Sequence, residues 1–428
     1  MLSSDDPLGS AGYRMGLSCY MAGISAFFAC GGLSRLQKKY KVGIDERMGN
    51  IDRAAPQNAL WIHSVSVGEV QSAMPLIDEV KENRPELPVI LSTVTTTGRE
   101  MAERLSSCKV DRMIYSPWDT PKFVKKALGT LRPKAYIAME TERWPTILSE
   151  LRSRGIPAFL ANGRLSGKSA QKLRGQRVFW RGVLSCFERI LVRFEDDKEE
   201  FLSLGVSDKK ITVTGDCKVD AISRRKSEAL MKTSDLRRSL DMGDTDPVFL
   251  AGSTHGGEDE VVIDAFAEVK KARPDARLIV VPRHPERAAS VAALSEPRYK
   301  TALFSDVKSG WDVLVVDKIG VLFELYALAD AAFVGGSLGR WGGQNPTEPA
   351  LFGIQTTHGP DMNDFPDAIR MASLGASLVI QNASGLARSW LLALTPAEKL
   401  RNSAACEKYF SSIGGAAKRT FDVIKEYI

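Results

Sequence analysis

The chain has 428 residues, which is long enough for two or three domains with a sizeable core. Hydrophobic residues make up 44% and charged residues 26%, and this ordinary globular composition excludes a disordered chain and a polytopic membrane protein. Lys+Arg 58 against Asp+Glu 52 gives a net charge of +6. This mild basic excess favours anionic lipid or phosphorylated ligands, but it is too small for a dedicated nucleic-acid binder, so no nucleic-acid partner is expected.

Cysteine and histidine usage indicates a reducing compartment. The 6 cysteines are scattered without a CxxC pair, and the 4 histidines do not pair with them. Disulfides and structural zinc sites both need closely spaced ligands or an oxidising context. The sequence therefore predicts neither a disulfide nor a Cys/His metal centre.

A long uncharged stretch, Met15–Leu33, lies near the N-terminus and approaches the length needed to cross a bilayer. Glycines and serines dilute it, so a packed N-terminal helix is the alternative. Asp5 and Asp6 disfavour a signal peptide, although Phe27–Cys30 faintly resembles a lipoprotein cleavage box. Basic residues follow the stretch at Arg35, Lys38, Lys39 and Lys41. Their position predicts that residues 1–40 associate with a membrane and that the large C-terminal body is cytoplasmic.

From residue 60 onward, short apolar runs alternate with segments long enough for crossover helices, a pattern typical of buried parallel strands. The first series of predicted strands is Ala59–Ile62, Val89–Leu91, Ala135–Ala138, Ala158–Leu160 and Arg189–Val192. After a charged, helical or loose connection at Ser223–Leu240, the second series is Val248–Ala251, Leu278–Val281, Val313–Val316, Ala331–Val334 and Ser377–Ile380.

Two successive βα series predict an α/β protein with two doubly wound, Rossmann-like domains. We expect the domains to cover residues 41–218 and 219–428, with the last helix able to pack back on the first domain. In such folds ligands lie beyond the carboxyl ends of the strands, so the active site is expected in a cleft between the domains.

In the first domain, polar turns follow the predicted strands at His63–Glu69 and Ser92–Arg99. Their backbone N–H groups can bind an anion where each turn opens a helix. Glu69 is either a carboxylate that complements the helix dipole or a functional acid. Glu140 and Glu142, beside Trp144 and Pro145, either cap a helix, bind sugar hydroxyls or hold a catalytic base.

The segment 166–190 is rich in basic and aromatic side chains. It is read as one basic helix, which is either a solvated face or a receptor for phosphates near a membrane surface. Its cations are Lys168, Lys172, Arg174, Arg177, Arg181 and Arg189.

In the second domain, Gly252–Glu258 follows a strand and opens a helix, the arrangement that binds a phosphate. It lacks the ending of a Walker loop and the spacing of a dinucleotide fingerprint, so neither an ATPase nor a dehydrogenase is indicated. Arg283, after the next strand, can fork onto a phosphate or carboxylate. A glycine-rich turn at Gly335–Ser337 precedes a proline-started helix with Glu348 in its first turn.

Together these motifs resemble the Kdo transferases of lipid A assembly, over about Trp61 to Pro360. The motifs, in order, are HSVSVGE, TVTTTGR, ETERWP, NGRLS, GDCKVD, GSTHGGEDE, VPRHPER and GGQNPTEPA. The resemblance implies a GT-B glycosyltransferase, with two Rossmann-like domains, that moves 3-deoxy-D-manno-oct-2-ulosonic acid (Kdo) from CMP-Kdo onto a lipid A precursor. It also implies a location at the cytoplasmic face of the inner membrane.

The same resemblance implies catalytic roles. Glu69 matches the proposed general base, which takes the proton from a glucosamine hydroxyl of the acceptor during an inverting transfer. Lys218 and Arg283 stabilise the charge that develops on the phosphate of CMP, and so no metal ion or cofactor is expected.

Other residues are implied to bind substrate. N–H groups of the turns at Ser253–Thr254 and Gly335–Gly336–Ser337 assist at the phosphate, and Glu348 holds the ribose. Arg99 and Glu142 bind or orient the Kdo carboxylate and the base region. The remaining implied substrate-binding residues are Ser66, Gly68, Glu140, Arg164, His284 and Asn345.

The chain departs from the family pattern at two places. It has Gln344 and Thr347 where the family usually reads GGHNPLEP, and Asn162–Gly163–Arg164 where Asn-Ala-Arg is usual. The missing histidine suggests altered tuning more than loss, because glutamine can still donate to an oxygen. The alternatives are a nucleotide-sugar epimerase on the same scaffold and an inactive nucleotide-sugar binding protein.

Overall fold

The computed structural model describes residues 7–32, 34–36, 40–106, 108–243, 245–365 and 367–428. It divides into two compact units, the first formed by Met1–Ala221 with Ile413–Ile428 and the second by Ile222–Ser412. The sequence arguments from Asp5, Asp6, Leu33, Lys38 and Lys39 fall outside the described residues.

The first unit is built on a seven-stranded sheet in the order β3-β2-β1-β4-β5-β6-β7, and every strand pairing in it is parallel. The strands are β1 Leu60–His63, β2 Val89–Thr93, β3 Arg112–Tyr115, β4 Ala135–Met139, β5 Ala158–Gly163, β6 Arg189–Val192 and β7 Ile211–Val213. The register pairs Leu60 with both Val89 and Ala135, so the strand ends that carry the polar turns lie along one edge.

Helices precede, connect and follow these strands. They are α1 Ala11–Phe27, α2 Ile44–Arg47, α3 Val67–Asn83, α4 Thr96–Leu105, α5 Pro121–Leu131, α6 Pro145–Ser153, α7 Gly167–Arg174, α8 Arg177–Ser185, α9 Glu195–Ser203 and α10 Cys217–Met231. A π-helical turn, Phe28–Gly32, continues α1, and 3-10 turns lie at Pro7–Gly9 and Asp208–Lys210.

Alternate strand residues of the first unit bury on opposite faces of the sheet, as the two-residue period of a strand requires. Trp61 belongs to one buried cluster, while Leu60 and Ile62 belong to the other. The second cluster also contains Phe421 and Ile424 of the last helix. The C-terminal segment therefore completes the core of the first unit.

The second unit repeats the design with a seven-stranded parallel sheet in the order β10-β11-β9-β8-β12-β13-β14. Its strands are β8 Val248–Thr254, β9 Arg277–Pro282, β10 Thr301–Leu303, β11 Val313–Val315, β12 Ala331–Val334, β13 Gln355–His358 and β14 Leu378–Val379. The remaining helices of the chain are α11 Thr233–Ser239, α12 Glu258–Ala272, α13 Ala288–Ser295, α14 Leu322–Tyr326, α15 Thr347–Leu351, α16 Asp367–Ser373, α17 Ala383–Ala393, α18 Pro396–Ile413 and α19 Ala416–Ile424, with a 3-10 turn at Pro285–Arg287.

The predicted α/β class and all the predicted strands are confirmed, and the connection at 223–240 is helical. Four further strands escaped prediction: β3, β7, β10 and β13. The first three are edge strands, which bury less apolar surface and so carry a weaker hydrophobic signal. The fourth reads Gln-Thr-Thr-His and is fully buried; one of its hydroxyls, Thr357 Oγ1, donates to the carbonyl of Ala332 at 2.9 Å.

The prediction of one basic helix across 166–190 is wrong. The structure has two helices there, α7 and α8, and the break falls at Gly175 and Gln176. Gln176 has a backbone conformation outside the helical region, so the polar faces of the two helices are not continuous.

The N-terminal helix α1 packs on helix α8. Gly12 and Gly16 let α1 approach Val178 and Phe179, and Tyr13 is buried against Gly182. The helical stretch Ala11–Gly32 has a mean hydropathy of 1.3 and meets the length and composition of a membrane span, but only 6% of it is buried in the protein. One face of α1 therefore packs on the first unit, while most of its apolar surface is left uncovered.

We predict that Gly182→Ala loosens this contact, because a methyl group at residue 182 would overlap the ring of Tyr13. Overpacking of this kind costs about 1–3 kcal/mol. The measurement is thermal unfolding together with limited proteolysis near residue 10. The matched control is Gly129→Ala, a helical site where a methyl group meets no neighbour, and there the unfolding temperature should hold or rise. An unchanged melting temperature and unchanged proteolysis in Gly182→Ala would contradict the packing.

Candidate active site

The carboxyl edge of the first sheet is organised by the buried side chain of Glu140. Its Oε1 accepts hydrogen bonds from Lys218 Nζ at 2.9 Å and from Ser72 Oγ at 3.0 Å, and its Oε2 lies 3.0 Å from Arg164 Nε. Burial alone would raise the pKa of this carboxyl, but the two cations hold the pKa below its ordinary value. Glu140 is therefore an ionised hub that brings together three of the predicted site residues.

Glu69 lies in the first turn of α3 and is also buried, with 8% of its surface exposed. Its Oε2 accepts the N–H of Val65, in the turn that precedes the helix, at 2.5 Å. Burial, followed by the negative charge of Glu142, raises the pKa of Glu69 to about 8. A carboxyl with such a pKa is poised to take up and release a proton near neutral pH.

Glu142 forms a third environment at the same edge. Its Oε2 accepts the indole N–H of Trp144 at 2.7 Å and lies 3.9 Å from His63 Nε2. His63 is fully buried at the end of β1, and burial lowers its pKa to about 3, so this imidazole is neutral at physiological pH. Because His63 is neutral, it does not stabilise the ionised form of Glu142. Burial raises the pKa of the Glu142 carboxyl.

The remaining predicted residues of the first unit lie close by. Ser66 precedes α3 as its N-cap, but its side chain makes no capping hydrogen bond, and the carbonyl of Gly68 accepts from Ser72 Oγ at 2.9 Å. Arg99 Nε donates to Glu103 at 2.8 Å, and the Arg99 guanidinium lies 5.5 Å from the ring centre of Tyr115.

Strand ends in both units hold non-glycine residues in the left-handed backbone region. Glu140, Asn162 and Ser253 have φ values of 53°, 53° and 57°. Such conformations are costly for residues with a Cβ and cluster at functional sites. Asn162 is fully buried, and its Oδ1 accepts the N–H of Cys217 at 2.9 Å, next to Lys218.

In the second unit, the buried carboxylate of Glu258 accepts hydrogen bonds from the backbone of both glycine-rich turns. It accepts the N–H groups of His255 at 2.8 Å, Gly336 at 2.7 Å, Ser337 at 2.9 Å and Leu338 at 3.0 Å. The N–H of Gly335 donates to the carbonyl of Gly252 at 2.8 Å. The expectation that the N–H groups of Gly335–Ser337 face a phosphate is therefore corrected, because each already has an acceptor within the protein.

The turns after β8 and β9 lie side by side. The carbonyl of Thr254 accepts the N–H of Arg283 at 3.0 Å, which places the two predicted motifs next to each other. The side chain of Arg283 is exposed and has no hydrogen-bond partner within the described ranges.

Aromatic rings cover the same turns. The ring of His284 lies 6.2 Å from that of His255, and His255 in turn stacks on Trp341 at 4.9 Å. Trp341 is 55% exposed and offers an open aromatic face. The ring pair thus adds a stacking surface beside the exposed Arg283.

Asn345 and Glu348 form a compact pair at the start of α15. Asn345 Oδ1 accepts the N–H of Thr347 at 3.1 Å, and Asn345 Nδ2 donates to Glu348 Oε1 at 3.3 Å. Burial raises the pKa of Glu348. Gln344, the residue that replaces the usual histidine, lies beside Gly336.

Within the part of the chain that the structure describes, no group of three or more His, Cys, Asp or Glu side chains is placed to hold a metal ion. Among the predicted site residues at the strand ends, Lys218 and Arg164 in the first unit and Arg283 in the second are cations that can meet an anionic ligand.

These features define a class: an α/β enzyme with two parallel Rossmann-like sheets and charged or polar residues at their carboxyl ends. The profile of the family described as 3-Deoxy-D-manno-octulosonic-acid transferase (kdotransferase) matches residues 42–221. The chain is 31% identical to a 3-deoxy-D-manno-octulosonic acid transferase of Haemophilus influenzae, over 92% of this chain and 94% of that protein. It is 32% identical to the protein of the same description from Bordetella pertussis, over 88% of each chain.

The chain belongs to the Kdo transferase family and is a glycosyltransferase of lipopolysaccharide synthesis. A solved UDP-GlcNAc 2-epimerase of Neisseria meningitidis superposes with a TM-score of 0.64 over 86% of this chain and 99% of its own, at 16% identity. That likeness shows a shared GT-B type fold and nothing about the reaction.

Sequence reasoning missed several residues of these sites. No role is predicted for Glu258, because a glutamate in a first helical turn cannot be told in sequence from one that only complements the helix dipole. No role is predicted for His63 either. Trp341 had a usable signal, an aromatic residue inside the glycine-rich turn that precedes Gly342 and Gly343.

We predict that Glu258→Gln destabilises the second unit, because an amide offers a single acceptor atom where the carboxylate serves four N–H groups. Losing charged hydrogen bonds in a buried turn costs about 2–3 kcal/mol. Chemical unfolding of the purified protein measures the loss. Glu260→Gln, an exposed position in the same first turn of α12, is the matched control and should unfold as the wild type does. Equal stability of the two variants would contradict the role given to Glu258.

Proposed function

We propose that this enzyme transfers Kdo from CMP-Kdo to a lipid A precursor, lipid IVA, with inversion at the anomeric carbon, and that Glu69 is the general base. The observation that carries the proposal is the state of Glu69 in a Kdo transferase family member: a buried carboxyl at the carboxyl end of β1 with a pKa raised to about 8. An ordinary surface glutamate would be too weak a base to remove a proton from a sugar hydroxyl.

In the proposed step, ionised Glu69 accepts the proton of a glucosamine hydroxyl while that oxygen attacks the anomeric carbon of Kdo. The bond from this carbon to the phosphate oxygen breaks, and CMP leaves with the electron pair. The hydrogen bond from the N–H of Val65 holds one carboxylate oxygen in place. Because burial, and then the negative charge of Glu142, raises the pKa of Glu69, its carboxylate is a stronger base than an exposed glutamate.

Positive side chains are proposed to stabilise the leaving group. Arg283 has its guanidinium free for a phosphate, and Lys218 keeps ammonium protons for a ligand besides the one it donates to Glu140. Charge stabilisation by fixed cations makes a resident metal ion unnecessary, so the reaction is proposed to need no cofactor.

The nucleotide and the acceptor are assigned by chemistry. The Glu348 carboxyl and the Asn345 amide offer hydrogen bonds to ribose hydroxyls. The acceptor is a phosphorylated lipid, and the uncovered apolar face of α1 together with the cations of α7 and α8 fits a membrane surface. We therefore place the protein at the cytoplasmic face of the inner membrane.

We predict that Glu69→Gln lowers turnover by about 10²–10⁴-fold while CMP affinity stays near that of the wild type, since a general base acts on the acceptor proton. The assay combines purified protein, CMP-Kdo and lipid IVA, and it weighs the lipid product by mass spectrometry. Glu79→Gln, a partly exposed position on the same helix α3, is the control and should keep full activity.

A Glu69→Gln variant that keeps more than about a tenth of the wild-type rate would refute the assignment and make Glu142 the candidate base. A wild-type protein that adds no Kdo to lipid IVA would refute the proposed reaction itself.

We predict that Arg283→Ala lowers kcat/KM for CMP-Kdo by about 10²–10³-fold, because one donor to a developing anion is lost. Its fold should be unaffected, since the side chain has no hydrogen-bond partner in the described part of the chain. Arg298→Ala, an exposed arginine of the same unit, is the control for a lost positive charge. Steady-state kinetics measure kcat/KM for each variant, and the wild-type enzyme is also assayed with and without a chelator. Wild-type kinetics in Arg283→Ala, or inactivation of the wild type by the chelator, would contradict the metal-free phosphate site.

A further inference from the structure

A basic cavity of about 350 Å³ lies in the first unit, away from the strand-end residues of the candidate active site. Its lining combines three cations with small polar residues and the chain that enters α1: Pro7, Leu8, Arg152, Arg181, Ser185, Gly205, Ser207 and Lys210. None of these lining residues is acidic. The lining therefore concentrates positive charge and contributes no carboxylate of its own.

The cavity is at the opposite edge of the sheet from Glu69. Arg152 precedes β5, Ser185 precedes β6 and Lys210 precedes β7, so the lining comes from the amino ends of parallel strands. Glu69 and Glu140 follow the carboxyl ends of β1 and β4. A ligand in the cavity would thus be separate from the transfer site.

Two of the three cations are fixed by the fold but keep free donors. Lys210 Nζ donates to the carbonyls of Ser185 at 2.9 Å and Phe187 at 2.7 Å, and Arg181 Nε donates to the carbonyl of Gly205 at 3.1 Å. An ammonium has three N–H groups and a guanidinium has five, so donors remain on both side chains. The site is partly preorganised by these backbone contacts.

Arg152 is different, because its side chain has no hydrogen-bond or ion-pair partner among the described residues. It lies close enough to Lys210 for the two like charges to repel, and Glu188 is the acid that acts on Lys210 from outside the lining. A bound anion would relieve the repulsion between these like charges. The oxygens of a phosphate match the N–H groups of a guanidinium in geometry.

We propose that this cavity binds a phosphate group, and that the phosphate is carried by an anionic lipid of the membrane on which α1 lies. Pro7 and Leu8 line the cavity and lead directly into α1, whose apolar stretch Ala11–Gly32 is largely uncovered. A headgroup in the cavity would therefore place its acyl chains beside an apolar helix. The inference does not depend on the transfer reaction.

The experiment measures binding of the purified full-length protein to phosphatidylcholine vesicles with and without phosphatidylglycerol, and separately to inorganic phosphate. Arg152→Glu should weaken binding to the anionic vesicles about tenfold or more and leave binding to pure phosphatidylcholine unchanged. Arg104→Glu, an exposed charge reversal on α4, is the control and should bind as the wild type does. Arg152 is exposed, and its side chain has no hydrogen bond or ion pair among the described residues, so the unfolding temperature of Arg152→Glu should match that of the control.

The two sources of phosphate are separated by the second arm. Binding of inorganic phosphate that is lost in Arg152→Glu, with equal vesicle binding in both variants, would overturn the lipid source and leave a site for a soluble phosphate. Equal affinity of Arg152→Glu and Arg104→Glu for both probes would overturn the site. Neither readout uses CMP-Kdo, so either result is distinct from a failure of the proposed reaction.

Discussion

The ion pairs of Glu140 are the constraint on which the carboxyl edge of the first sheet depends. Glu140 follows β4 with a left-handed backbone and pairs with Arg164, which follows β5, and with Lys218, the second residue of α10. Only the carboxylate of these pairs is buried: Arg164 is 47% and Lys218 is 40% exposed, so solvent screens each pair, while the buried carboxylate depends on both cations. Ser72, which lies on the same face of α3 as Glu69, donates to the same carboxylate, so the hub also positions the helix that carries the base.

Three glutamates at one edge thus acquire different properties from their surroundings. Glu140 has two cations and a hydroxyl and stays ionised, whereas Glu69 and Glu142 are buried without a comparable partner and have raised pKa values. Carboxyl groups whose environments push their pKa values apart are a recurring basis for dividing structural and acid–base roles. The second unit also contains a buried carboxylate, Glu258, but the hydrogen bonds that it accepts come from backbone N–H groups.

Sequence alone predicted the buried strands and the polar turns at their ends, because both are local patterns of apolar runs and glycine. The edge strands β3, β7 and β10 carried too few apolar residues to be recognised, and the break at Gly175 was hidden inside a continuous basic run. Glu258 could not be assigned because its partner Leu338 is 80 residues away in sequence. The ionised state of Glu140 was likewise beyond prediction, since it needs Arg164 and Lys218 to converge in space.

The most direct test of the central claim, that burial and Glu142 make Glu69 the base, is the pH dependence of kcat/KM for the transfer. A base must be ionised to act, so the rate should rise with pH through an apparent pKa of about 8 and then level off. Glu142→Gln removes the neighbouring negative charge, so the rise of kcat/KM should move to lower pH. The claim would be contradicted if the apparent pKa of this rise in the wild type lay near that of an ordinary glutamate, or if Glu142→Gln left that apparent pKa unchanged.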